Sequence, residues 1–246
     1  MGSTTEAFSF KKLLQDLPRG EPLGSSFLKS HGLSPAHASH LAQDGWLVHL
    51  SRGVYMLPGD TLTRDGCLAF LSERVPGLHV AGETALAWRG SRYAISFRER
   101  LVLWSDKQVR LPEWFTSRFD CAHQSTKLFK PSLPPGCGVQ PLPGGDPRVL
   151  VSVPERAVLE LLSDVGKTKS VDEARALLDG LHSLRKSALE TLLEHTARVK
   201  VIRLARNLSE ELDLPWAEVA RSHSQGTGGK RWVARTRTGE RLDLKQ

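Results

Sequence analysis

Between Ser34 and Arg52 the sequence carries side chains suited to reading a nucleic acid: His37, Ser39, His40 and Gln43 at near-helical spacing, then an arginine-glycine pair. Histidine and glutamine exchange hydrogen bonds with base edges in a major groove, and the hydroxyls of Ser34 and Ser39 suit bases or phosphates. The Arg52 guanidinium matches a phosphate or enters a minor groove, and Gly53 beside it allows the positive φ of a tight turn. Ser34, His37, Ser39, His40, Gln43 and Arg52 are therefore the candidate DNA-binding residues. The competing reading is a protein-contact module whose histidines are merely exposed, and periodicity does not separate the two.

Other constellations fall short of catalysis. Metal-dependent nucleotidyl transfer needs carboxylates placed to hold cations. Glu83, in Gly82-Glu83-Thr84-Ala85-Leu86, followed by Asp106 has a loose likeness to that arrangement, but Gln108 stands where the second carboxylate is required. Ser222 to Lys230 is glycine-rich, yet Arg231 follows Lys230 where a phosphate-binding loop needs Ser or Thr, so it reads as a flexible loop. Cys121 and His123 share one face of a strand, where packing is the expected role. His79, beside apolar residues, reads as a hydrogen-bonded histidine and not as a ligand. The three cysteines, Cys67, Cys121 and Cys137, lie far apart with no CxxC pair, which argues against a disulfide framework or a zinc site. Neither enzymatic activity, metal nor cofactor is expected.

Three short helices and a hairpin must position the candidate residues. Phe8, Phe10, Leu13, Leu14 and Leu17 predict the first helix, stopped by Pro18-Arg19-Gly20. Ser25 is expected to cap a second, carrying Phe27 and Leu28 to His31-Gly32. Ser34-Pro35 starts a third, which runs to Asp44-Gly45. Trp46 to Leu50 and Val54 to Leu57 then form a hairpin about Ser51-Arg52-Gly53. This order predicts a winged helix-turn-helix over residues 1–60, its third helix in the major groove and its wing on the backbone.

Residues 61–246 read as a larger α+β domain with a small sheet and a C-terminal helical bundle, so the chain is assigned to the α+β class. An amphipathic helix is predicted over 62–75, weakened by Gly66. Strands are expected at Leu101–Trp104 and Phe119–Ala122, and a loop-rich stretch with six prolines at 130–147. Ser152 is the predicted cap of a helix entered through Pro154-Glu155, with Glu155-Arg156 as a surface ion pair. Helices follow over 171–184, 187–196 and 199–212, then a terminal hairpin from Trp232 to Leu244. Lys200, Arg203 and Arg206 recur every three residues, predicting a solvated basic stripe that is a candidate second nucleic-acid surface.

A length of 246 residues suits two domains, and the pI near 9.5 with net charge +7 invites a polyanionic partner. The distribution works against a simple electrostatic argument. Residues 1–60 are formally neutral, and the surplus lies at +4 over 61–130 and +5 over 196–246. No run of 18 apolar residues and no basic-then-apolar N-terminus is present, so neither a membrane span nor a signal peptide is expected, and a cytoplasmic protein is.

Three blocks carry a family resemblance. Leu41 to Tyr55, with Ser51-Arg52-Gly53-Val54-Tyr55, resembles the helix, glycine, strand and arginine-glycine-valine-tyrosine segment of AbiEi-family antitoxins. His79 to Gly90 is similar to that family's short strand followed by a Gly-x-x-Ala-Leu helix. Val151 to Leu162 is similar to its Ser-x-Pro-Glu-Arg-Ala helix start. The resemblance implies an N-terminal winged helix that binds inverted repeats in double-stranded operator DNA upstream of its own operon. It also implies a C-terminal part that neutralises a nucleotidyltransferase-like toxin encoded beside it. The alternative is a plain winged-helix regulator whose C-terminal domain binds an effector or oligomerises. A nucleotide-handling enzyme, requiring Glu83 and Asp106, is the reading from a different class.

Overall fold

The computed structural model describes residues 17–90, 100–228, 231–235 and 241–245. The helix expected from Phe8 to Leu14 lies outside the described residues. In chain order the elements are β1 (Leu23–Gly24), α1 (Ser25–Ser30), α2 (Pro35–Gln43), β2 (Val48–Ser51), β3 (Val54–Met56), α3 (Arg64–Ser72), β4 (His79–Val80) and α4 (Gly82–Trp88). They continue with β5 (Leu101–Trp104), α5 (Glu113–Thr116), β6 (Cys121–Gln124), β7 (Val139–Pro141), β8 (Leu150–Ser152) and α6 (Pro154–Asp164). Last come α7 (Val171–Leu178), α8 (Lys186–Glu194), α9 (Val199–Glu211), α10 (Ala217–Gln225), β9 (Arg231–Arg235) and β10 (Arg241–Lys245). The fold is α+β.

The chain divides into two compact units, Met1–Arg74 with Arg110–Phe119, and Val75–Val109 with Asp120–Gln246. The first unit thus extends past residue 60, taking in α3 and α5. Its sheet has the order β1-β3-β2, all antiparallel, with Leu23 opposite Tyr55 and Val48 opposite Met56. Leu23, Leu28, Leu33, Ala38, Leu41, Leu47, Tyr55 and Leu57 form one apolar core beneath α1, α2 and the sheet. Burial of such side chains contributes roughly 1.5–3 kcal/mol each. Helix α1 starts one residue earlier than expected: Gly24 is the N-cap and Ser25 is the first helical residue, its N–H donating to Gly53 O at 2.8 Å. On α3, Thr63 caps the N-terminus through Gly66 N–H, and Phe70 meets Trp114 of α5 edge to face at 5.8 Å.

In the second unit a five-stranded mixed sheet runs in the order β6-β5-β4-β8-β7. β5 pairs parallel with β6 and β4 parallel with β8, while β4/β5 and β7/β8 are antiparallel. The β6 strand lies two residues later than expected, and β7 falls inside the proline-rich stretch expected to be loop. There Val139 pairs with Ser152, so the prolines border a short strand without entering its interior. α6 is buried nearly all round, including Val158, Leu161 and Leu162, and packs with α4, α8 and α9. Its predicted cap is not Ser152: Val153 is the N-cap residue, with Pro154 in the first turn, and Ser152 ends β8. α7 begins with a capping box between Ser170 and Glu173. α10 covers Ala217–Gln225, so residues 222–225, expected in a flexible loop, complete a helix whose N-cap Trp216 is fully buried and donates to Leu181 O at 2.9 Å. The terminal hairpin forms as expected, β9 antiparallel to β10.

Candidate nucleic-acid interface

α2 is built to show one face to solvent. Ser34 has extended backbone and its hydroxyl accepts the His37 N–H at 3.2 Å, satisfying an orphan donor of the first turn while Pro35 presets φ. Ala38 and Leu41 point into the core, which turns Ser34, His37, Ser39, His40 and Gln43 outward, all exposed. Gly45, at φ 80°, ends the helix, and the chain turns directly into the hairpin, with Trp46 N–H donating to Leu41 O. Arg52 is exposed in the turn between β2 and β3. Gly53 follows at φ 72°, where a Cβ would sit 3.2 Å from Ser25 Oγ, so conformation and space both favour glycine. All six candidates thus lie in one unit, on α2 and its N-cap and in the β2/β3 turn. The structure adds partners that spacing did not show: His40 Nδ1 lies 3.0 Å from Asp44 Oδ2, and the His49 ring meets Tyr55 edge-on at 5.6 Å. Trp46, before β2, and Val48, its first residue, are exposed apolar side chains at 53% and 40%.

The second basic surface is a correction. Lys200, Arg203 and Arg206 do not form a solvated stripe, because α9 turns that face inward. Arg203 is 1% exposed and donates to Leu244 O at 3.1 Å and to Gly228 O at 3.3 Å. Lys200 Nζ donates to Ser163 O and Val165 O, each at 2.8 Å, capping the C-terminus of α6; burial, with Lys167 nearby, lowers its pKa to about 8. Arg206 is half-buried and pairs with Glu210 at 3.1 Å. Their spacing serves internal carbonyls and carboxylates.

Glu155 and Arg156 are likewise not a surface pair. Glu155 is 2% exposed and held by Arg185 through Nε at 3.0 Å and Nη2 at 3.1 Å. Arg156 reaches Glu160, four residues on, at 2.8 Å. Glu160 is fully buried with every lone pair occupied: Oε1 also faces His79 Nε2 at 3.0 Å, and Oε2 accepts from Ser152 Oγ at 2.8 Å and Gly82 N–H at 3.2 Å. Burial alone would raise its pKa; His79 and Arg156 outweigh that and bring it down to about 2. His79 Nδ1 meets Gly77 O at 2.7 Å, so the imidazole is hydrogen-bonded at both nitrogens, as its apolar surroundings predict. This network was not legible in spacing, since its members stand 78 and 81 residues apart along the chain.

No catalytic set assembles from the candidates. Cys121 has its thiol pKa raised by burial and by Asp120 beside it, which disfavours the thiolate a nucleophile needs. Burial lowers the pKa of His123, whose Nε2 lies 2.7 Å from Ser105 Oγ. Glu83 is paired with Lys169, and Asp106 stands exposed in the loop after β5. Among the described residues no group of three or more His, Cys, Asp or Glu is placed to hold a metal ion. No helix among them is long and apolar enough to cross a membrane.

Residues 6–97 match the family described as "Transcriptional regulator, AbiEi antitoxin N-terminal domain", and residues 98–244 the one described as "Transcriptional regulator, AbiEi antitoxin, Type IV TA system". Among solved structures, that of the RV2827C protein from Mycobacterium tuberculosis is similar over 91% of this chain and 86% of its own, with a TM-score of 0.55 and 16% identity. That likeness concerns the fold. Among curated proteins no relative matches.

Proposed function

The chain belongs to the AbiEi antitoxin family of transcriptional regulators of type IV toxin-antitoxin systems, and on that premise we propose that it is a cytoplasmic autorepressor that binds operator DNA through its first unit and neutralises a nucleotidyltransferase-like toxin. The reading takes α1, α2 and the β1-β3-β2 sheet as a winged helix-turn-helix with α2 as the recognition helix. The observation that carries it is the outward face of α2, bearing His37, Ser39, His40 and Gln43, followed by a hairpin whose turn carries exposed Arg52. Such a helix suits a major groove, where histidine and glutamine read base edges, and a basic turn tip suits the flanking backbone. The neutral charge balance of residues 1–60 assigns the weight of recognition to hydrogen bonds and shape.

No enzymatic step is part of the proposal, and toxin neutralisation is read from family membership. Two experiments test it. Gel-shift titration of duplex DNA from upstream of the chain's own coding sequence should give saturable binding that unrelated duplex does not compete; equal affinity for both duplexes would overturn the operator assignment. Co-expression with the adjacent gene should restore growth arrested by that gene alone, and continued arrest would overturn the antitoxin assignment for that pair.

A further inference from the structure

The second unit contains a cavity of about 230 Å³ where β5 and β6 end and β4 begins. His79 and Trp104, opposite one another in the β4/β5 pair, line it together with Arg156, Asp106 and the segments 125–130 and 133–136. Its chemistry is one-sided. Lys127, Lys130 and Arg156 stand against a single lining carboxylate, Asp106, and with Glu160 behind the wall balancing Arg156 a surplus of one positive charge remains.

The cationic wall is held from behind. Glu160, with no exposed surface, fixes Arg156 through Nε and His79 through Nε2. Arg156 is anchored again by Nη1 to Cys137 O at 2.7 Å, which leaves Nη2 uncommitted among the described residues. A buried carboxylate that orients a cavity-lining guanidinium is the arrangement by which binding sites are preorganised. Trp104 supplies an independent observation. It is 3% exposed, and its indole Nε1 is buried without a hydrogen-bond partner, whereas buried donors are nearly always satisfied. Thr126 Oγ1 already accepts from Lys167 Nζ at 3.1 Å, so its own hydrogen remains to be donated. The lining is therefore rich in donors and in positive charge, and poor in acceptors.

We propose that this cavity binds a small phosphomonoester, with the phosphate taking hydrogen bonds from Arg156 Nη2, the Trp104 indole, Thr126 and Lys127. A phosphate meets the positive surplus, and its tetrahedral oxygens accept from several directions at once. The volume equals that of roughly eight waters, which suits a compact sugar phosphate and excludes a duplex. Lys130 Nζ, which donates to Glu194 O at 2.8 Å, contributes its charge at the rim.

Isothermal titration of the full chain with ribose 5-phosphate tests this, with inorganic phosphate, ribose and a 5′-phosphorylated oligonucleotide as the other arms. Ribose 5-phosphate should bind once per chain, inorganic phosphate more weakly, and ribose not at all. Lys127→Gln, an exposed change, and Trp104→Phe, which keeps most of the aromatic bulk but removes the N–H, should each weaken binding about tenfold or more. The Lys127 variant should keep the parent melting temperature, so it carries the test if Trp104→Phe fails to fold. Absence of saturable binding, affinity unchanged by Lys127→Gln, or tighter binding of the oligonucleotide than of ribose 5-phosphate would each overturn the proposal. The measurement uses no operator, so its failure leaves the DNA reading standing.

Discussion

Arg52 stands exposed in its turn, so removing its side chain breaks no packing, and any effect reports on what it touches outside the chain. Arg52→Ala should leave the melting temperature in place, weaken operator binding and lower the slope of log K against log salt by about 1, as loss of one phosphate contact predicts. Gel-shift titrations at several salt concentrations check this, and an unchanged slope would remove Arg52 from the interface. Asp164 gives a pH prediction of opposite sign to an ordinary paired carboxylate. Burial raises its pKa from 3.8 to about 6, although Lys167 and Lys200 pull it down, and its Oδ1 has no hydrogen-bond partner. A raised folded-state value means the neutral form is favoured by folding: that stability is complete below pH 3.8 and is lost as pH rises through about 6. Asp164→Asn should therefore raise the melting temperature relative to the parent at pH 8 and do so much less at pH 4, measured by thermal unfolding. The exposure of Ser34, His37, Ser39, His40 and Gln43 was legible in the sequence because a cap and a proline fix where α2 begins and Ala38 and Leu41 mark its buried side. The fates of Lys200, Arg203 and Arg206 were not, because period alone tells that three residues share a face but not whether that face meets solvent or the carbonyls of α6 and β10.

Local chemistry also sets limits on whole elements, and α3 shows where propensity misleads. Glycine inside a helix costs about 1 kcal/mol relative to alanine, so the sequence alone marks Gly66 as a weak point. In the structure a Cβ there would lie 2.5 Å from Gly20 O and 2.8 Å from Glu21 Cβ, where Thr63 N–H and Oγ1 already bind Gly20 O. Gly66→Ala should therefore destabilise the protein, by about 1–3 kcal/mol as for other overpacked sites, instead of stabilising it. Chemical denaturation would show the sign. The same contrast explains which elements the sequence announced. α2 and the terminal hairpin carry their own punctuation in caps, breakers and alternation. β7 has three residues among prolines and exists because β8 offers it a partner, which no local signal reveals. Ser152 looks like a cap by type and position, yet it serves the sheet and Glu160, while α6 starts on Val153 and Pro154.

For the molecule as a whole, the units are not consecutive halves of the chain. The first is completed by Arg110–Phe119, whose Trp114 meets Phe70 edge to face, so truncation at residue 60 would separate α3 and α5 from the core they accompany. The division of labour is better tested by substitution in the intact chain. Replacing His37, Gln43 and Arg52 together by alanine should abolish repression of a reporter under the chain's own upstream DNA while growth rescue in co-expression persists; loss of both would contradict separate duties for the two units. The α+β class and the order of helices and hairpin were readable because each rests on local periods. The return of residues 110–119 was not, since a contact between Phe70 and Trp114 leaves no period to detect. That return also sets a timetable during synthesis. At about 5–20 residues per second, a ribosome that has emitted Arg74 needs roughly 2–9 s more before Phe119 follows. Through that interval strands β4 and β5 emerge while Phe70 still awaits its aromatic neighbour, so the first unit is complete only after part of the second has been made.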